Sequence, residues 1–182
     1  AGSLNINGNL SLAAGSTLAL DINGTTAGSG YDRVLVNGSA NLSGATLAVT
    51  HGYTAGSGDR YTVIVNDGGD AITGTFTGIS EGGTITAGGN GTELTTSYAG
   101  GTGNDLTLTA PAAPVVTNIT SSTANGTYKI GDVITVTVQF DTSVNVTGTP
   151  TLTLETGATD RILNYVSGSG TDTLSFSYTV QA

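Results

Sequence analysis

Glycine interrupts this chain so often that a helical fold is nearly excluded. The 29 glycines fall about every six residues, and each costs a helix interior about 1 kcal/mol relative to alanine. The longest glycine-free stretch, Asn104 to Asn125, contains Pro111 and Pro114. The next, Asp132 to Thr147, alternates apolar and polar residues with period two, the signature of a strand with one buried face. Threonine and valine, both strand-favouring, supply the branched side chains.

Charge narrows the class further. Only 9% of the 182 residues are charged, and the formal net charge is −9. No basic stripe is available to neutralise phosphates, so nucleic acid is not an expected partner. No apolar run approaches the length of about 20 residues that a membrane-spanning helix needs. Glycine, threonine and serine together make up 79 residues, so hydroxyls stand where charges normally would. There is no cysteine, hence no disulfide. Hydrophobic residues at 37% are enough for thin cores, which argues against disorder. By compositional association alone, this acidic, lysine-poor, cysteine-free, hydroxyl-rich chain is expected to come from a secreted bacterial surface protein. With no initiator methionine and no signal peptide, the chain is expected to be an excerpt of a longer one.

The segment Ala110-Pro111-Ala112-Ala113-Pro114 divides the sequence. Residues 111–114 are expected to form an extended linker between a domain at 1–110 and a second at 115–182. In the first, Leu4-Asn5-Ile6-Asn7-Gly8 is echoed about thirty residues later by Val34-Leu35-Val36-Asn37-Gly38. Each begins a unit of short strands parted by Asn-Gly and Gly turns. Such strands cannot each bury a face alone, but coils stacked as a β-solenoid can. Gly74-Thr75-Phe76-Thr77 also reads as a strand, and Tyr98 to Leu106 as a hairpin around Gly100-Gly101-Thr102-Gly103. In the second domain Ile134, Val136, Val138 and Phe140 alternate with Thr135, Thr137 and Gln139, and Leu174, Phe176, Tyr178 and Val180 do the same. Six or seven such strands predict an Ig-like antiparallel sandwich, short of its last strand or two.

Two resemblances accompany these patterns. The ordered blocks LNINGNLSLAAGSTLALDINGTTAGSGYDRVLVNGSANLSGATLAV, GDRYTVIVNDG, GTFTGISEGG and SYAGGTGNDLTLT resemble the C-terminal region of autotransporter-type β-helix passengers, around the passenger-associated transport repeat. The blocks GTYKIGD, VTGTPTLTLETG and SGSGTDTLSFSYTV resemble an Ig-like repeat of very large bacterial surface adhesins. The resemblances imply a β-helix end and an array-module sandwich, without enzymatic activity.

Candidate sites are few. Gly100-Gly101-Thr102-Gly103-Asn104-Asp105 matches the start of a calcium-binding nonapeptide once only, and a Gly-rich loop with Asp105 as turn former is the alternative. Asp67 and Asp70 share one glycine turn whose oxygens would suit Ca²⁺. Asp132, Asp141, Glu155, Asp160 and Asp172 lie at strand ends of the second domain, where a junction calcium is a further option. No cofactor other than Ca²⁺ is suggested. His51, the only histidine, follows a strand end and reads as a surface residue rather than a triad member. Arg33 and Arg60 each follow an aspartate, which favours local packing over lyase chemistry. Asn9, Asn23, Asn37, Asn41, Asn90, Asn118, Asn125 and Asn145 open N-x-S/T sequons, mostly explained by turn chemistry. Lys129, the sole lysine, sits beside a turn and is expected to be exposed.

The expected function is that of an extracellular stalk or adhesin module without catalysis. Its partners would be neighbouring copies, further repeats of the same chain, or surface glycans and proteins. The alternatives are a self-assembling filament or sheath subunit sharing a strand between copies and, less favoured, a β-helix carbohydrate-active enzyme.

Overall fold

The thirty-residue echo in the sequence becomes strand lying on strand. In a computed structural model that describes residues 1–157 and 159–181, every regular element is a β-strand. Two compact units emerge, Ala1–Ala113 and Pro114–Ala182.

In the first unit the strands are β1 (Ser3–Ile6), β2 (Leu10–Ser11), β3 (Thr17–Ile22), β4 (Arg33–Val36), β5 (Ala40–Asn41), β6 (Thr46–His51), β7 (Arg60–Asn66), β8 (Thr84–Thr86), β9 (Gly88–Gly89), β10 (Glu93–Gly100) and β11 (Asp105–Thr109). β1 pairs in parallel with β4 from Ser3↔Arg33 to Ile6↔Val36, and β4 with β7. β2 lies parallel to β5, and β3 parallel to β6 from Thr17↔Thr46 to Ile22↔His51. The chain thus returns to the same three ladders one coil later, placing each coil's apolar positions above those of the last. β6 shows the consequence: Leu47, Val49 and His51 point inward while Thr46, Ala48 and Thr50 face out. Leu20, Ile22, Val34, Val36, Leu42, Tyr61 and Val63 join them in one core.

Parallel stacking does not continue through the unit. Beyond β7 the largest sheet runs β7-β11-β10-β8 with antiparallel pairing, so the unit is mixed rather than a regular solenoid throughout. The hairpin read at Tyr98 to Leu106 is β10–β11. Gly74–Thr77 corrects a prediction: it is not a strand. The Phe76 N–H donates to the Tyr98 hydroxyl at 3.0 Å, outside any ladder, and the Phe76 side chain is buried. Residues 111–113 also belong to this unit. The Pro111 carbonyl accepts from the Gly58 N–H, and the Ala113 N–H donates to Ser57 Oγ at 2.6 Å.

The second unit holds β12 (Val116–Ser121), β13 (Val133–Val144), β14 (Thr151–Leu154), β15 (Arg161–Ser167) and β16 (Thr171–Thr179). All pair antiparallel in the order β12-β13-β16-β15-β14. The predicted alternation is present: Val136, Val138, Leu174 and Phe176 are buried together with Leu163. Where two facing sheets were expected, the described residues form one sheet of five strands. Alternation specifies which face of a strand is apolar but not its neighbour. Here hairpins keep β14 on β15 and β15 on β16, the latter turning at Gly168, where a Cβ would meet the Thr173 carbonyl oxygen at 2.1 Å.

Candidate functional site

The sole histidine is not on the surface. Because β6 alternates strictly, the position after Leu47 and Val49 falls inside, and His51 is fully buried. The same alternation in the sequence carried this signal. Around the ring the chain gathers a polar cluster from three segments: the end of β6, the 53–61 loop and strand, and the turn after β9.

The hydrogen bonds of this cluster fit one direction of donation. Asp59 Oδ2 accepts the Tyr53 hydroxyl proton at 2.9 Å and the Gly56 N–H at 2.8 Å. The Tyr53 and Tyr61 hydroxyl oxygens lie 2.5 Å apart, so Tyr61 donates to Tyr53. The Tyr61 oxygen is 3.4 Å from His51 Nε2, which completes the chain as the N–H donor. His51 Nδ1 is then an acceptor, met by Asn90 Nδ2 at 3.0 Å. Asn90 Nδ2 also donates to the Tyr53 carbonyl, and its Oδ1 accepts from Thr92. The His51 ring stacks on Tyr53 with centroids 4.8 Å apart and meets Tyr61 edge-on.

The electrostatics follow from burial. Desolvation pushes the Tyr53 phenol well above its ordinary value, and its bonds to Tyr61 and Asp59 add to the rise. Desolvation also raises Tyr61. These phenols hold their protons at physiological pH. Each polar atom of the imidazole is engaged and the ring is out of solvent, so the cluster acts as a clasp joining three segments. Beside it lies a shallow depression of about 300 Å³ bordered by Thr54, Gly56, Asn90, Thr92 and Pro111.

The calcium candidates come together in a different way. Asp105 and the 66–70 turn, far apart in sequence, are neighbours. Asp105 is buried, and its Oδ1 accepts the Asn66 N–H at 2.9 Å while Oδ2 faces the Thr102 N–H at 3.4 Å. Asn104 is equally buried. Its Nδ2 sits among the carbonyl oxygens of Asn66, Asp67 and Gly68, at 3.1, 3.4 and 3.0 Å. An amide donor thus occupies the carbonyl cradle that a cation would use. Asp67 and Asp70 are exposed, Asp70 contributing its backbone carbonyl to Asn66 Nδ2. Among the described residues no three Asp, Glu, His or Cys side chains converge on a point that could hold a metal. Asn66 and Asn104 were missed from sequence because a turn asparagine looks the same whether its amide is solvated or stitches another loop.

Four acids of the second unit accept hydrogen bonds, three from their own turns or neighbours and Asp141 from across the β12–β13 pair. Asp132 accepts from the Lys129 N–H, Asp141 from the Val115 N–H, and Glu155 from the Gly157 N–H. Asp172 accepts the Thr173 hydroxyl, and Asp160 and Lys129 are exposed. Arg33 donates from Nε to Ser3 Oγ one coil earlier. No helix among the described residues is long and apolar enough to cross a membrane. No protein-family model, no curated protein and no solved structure matches the chain.

Proposed function

We propose that this chain is an extracellular structural or adhesive module of a bacterial surface protein, working as stalk or adhesin segment without catalysis. The observation that carries this reading is the coil-on-coil register of the first unit. Thr17 lies beside Thr46 and Asp21 beside Thr50 on an outward face of hydroxyls and short side chains, over a continuous apolar interior. Such a face is suited to lateral contact with glycans, proteins or further repeats, because it offers hydrogen bonds without strong charge repulsion. The His51 cluster supports the same reading, since its polar atoms are spent on holding segments together. The test pairs a binding array of immobilised glycans and surface proteins with a reducing-sugar release assay. Binding without turnover is expected; sugar release would overturn the reading in favour of a carbohydrate-active enzyme.

A second reading, a filament subunit sharing strands between copies, is favoured by one observation. β12 is exposed along its whole length, and its Ile119, 56% exposed, pairs with the buried Val138. The apolar face of the second sheet therefore runs out uncovered to an edge strand. Negative-stain electron microscopy of concentrated protein distinguishes this reading by the presence of filaments.

A further inference from the structure

Five Asn-Gly pairs occur in the chain: Asn7-Gly8, Asn23-Gly24, Asn37-Gly38, Asn90-Gly91 and Asn125-Gly126. An asparagine followed by glycine can close on itself, because no side chain beside the glycine nitrogen blocks its approach to the asparagine Cγ. Closure needs two freedoms: a side-chain amide that can turn, and a glycine N–H that nothing holds. In sequence the five pairs are alike, but the fold makes them unequal.

Four of them are restrained. The Asn7 side-chain oxygen accepts the Asn37 amide at 3.1 Å, which ties both side chains. The Asn37 N–H is also held by the Ile6 carbonyl one coil earlier. Asn90 is held most firmly. Its Nδ2 donates to the Tyr53 carbonyl and lies 3.0 Å from His51 Nδ1, while its Oδ1 accepts from the Thr92 N–H and hydroxyl. Asn23 donates its N–H to the Gly30 carbonyl at 2.7 Å. Gly24 is pressed onto the same residue, its carbonyl carbon 2.8 Å from where a Cβ on Gly30 would stand.

Asn125-Gly126 has neither restraint. Both residues are exposed, in the connection between β12 and β13. Among the described residues no hydrogen bond reaches the Asn125 side chain or the Gly126 N–H. The contact beside them, from the Tyr128 hydroxyl to the Ala124 carbonyl, engages neither group. We infer that Asn125 is a self-modification site, whose amide is converted by the Gly126 nitrogen to a mixture of isoaspartate and aspartate. The Gly126 nitrogen loses its proton and bonds to Asn125 Cγ. The Cγ–Nδ2 bond breaks, and Nδ2 leaves with a proton as ammonia. Water then opens the cyclic imide. Addition at the backbone carbonyl leaves the chain running through Cγ as isoaspartate, and addition at Cγ restores it as aspartate. Either product places a new carboxylate in the β12–β13 connection, with water as the only co-reactant. The site goes beyond the stalk reading and does not rest on it. Sugar release would overturn that reading and leave Asn125 untouched.

The test incubates the whole chain in mildly alkaline buffer and samples it over time, with tandem mass spectrometry of its peptides locating each exchange of ammonia for water. Asn125 is expected to convert at least about tenfold faster than any of the other four, because each of those must first give up a hydrogen bond or a packed backbone contact. In urea those restraints are gone, and the five are expected to convert at similar rates. Gly126→Ala places a Cβ no closer than 3.8 Å to the Tyr128 ring, so the variant should fold and slow the conversion several-fold. Isoaspartate in the product separates imide chemistry from direct hydrolysis, which yields aspartate alone. Equal rates for the five pairs in the folded protein, a faster site elsewhere, an Asn125 lead that persists in urea, aspartate without isoaspartate, or undiminished conversion in Gly126→Ala would each overturn it.

Discussion

The Asn37 side-chain amide donates to the side-chain oxygen of Asn7, one coil earlier, at 3.1 Å. The two residues open the repeated Asn-Gly turns, and Asp67-Gly68 takes the equivalent place in the third coil, where the Asp67 N–H donates to the Val36 carbonyl. A local turn preference has become a column of side chains, with the glycines stacked beside it.

That column makes the two equivalent glycines unequal. A Cβ on Gly38 would lie 2.9 Å from the Gly8 backbone and 2.4 Å from Asn9 Oδ1, whereas one on Gly8 meets nothing within 4 Å. Gly38→Ala is expected to destabilise the first unit by about 1–3 kcal/mol, because backbone must shift. Gly8→Ala should stay within about 0.5 kcal/mol of wild type. Urea unfolding of both variants measures the contrast.

Two buried phenols and one half-buried phenol set an alkaline limit. Tyr53, Tyr61 and Tyr98 all lie above their ordinary value near 10, chiefly through desolvation. In the unfolded chain they ionise near 10, so the folded state then holds more protons. Their contribution is fully present below pH 10 and is lost as pH rises above it. The urea midpoint should be level from pH 8 to about 10 and then fall, with tyrosinate absorbance rising at the same pH as unfolding. Tyr53→Phe combined with Tyr61→Phe should make the fall shallower.

His51→Ala removes a fully buried ring and strands the Tyr61 and Asn90 groups that contact it. The cavity and the unpaired polar atoms together predict a loss of about 2–4 kcal/mol. Differential scanning calorimetry should show the loss in the first unit's transition. An unchanged midpoint would show that the clasp is not structural.

Calcium is expected to leave the protein's melting temperature unchanged, because the Asn104 amide already fills the 66–68 carbonyl cradle. Melts in excess Ca²⁺ and in EDTA provide the comparison. Asn104→Ala, by deleting a buried amide that ties the Asn66, Asp67 and Gly68 carbonyls and leaving the Asn66 carbonyl without that donor, should lower stability by about 1–3 kcal/mol.

Much of this was legible in the residues. The thirty-residue offset between Leu4 and Val34 is the offset of their ladder, and the hairpin between Tyr98 and Leu106 stands where its glycines place it. His51 was legible but misassigned: continuing the Leu47–Val49 alternation by two residues puts it inside. Other features were not legible. Phe76 looks like a strand residue, but its N–H donates to the Tyr98 hydroxyl while the adjacent Thr75 carbonyl and Thr77 N–H bond to Gly44 and Ala45 without forming a regular strand.

By itself the sequence determined an all-β chain, the places where it turns, and which side of each strand is apolar. These are local properties, set by glycine conformation and by the period-two geometry of extended backbone. The tertiary structure decided what those faces meet: five strands in one sheet of the second unit, an amide in a carbonyl cradle, and a histidine enclosed by two tyrosines and an asparagine. Such outcomes depend on which distant strand or loop arrives alongside, and no local pattern specifies its neighbour.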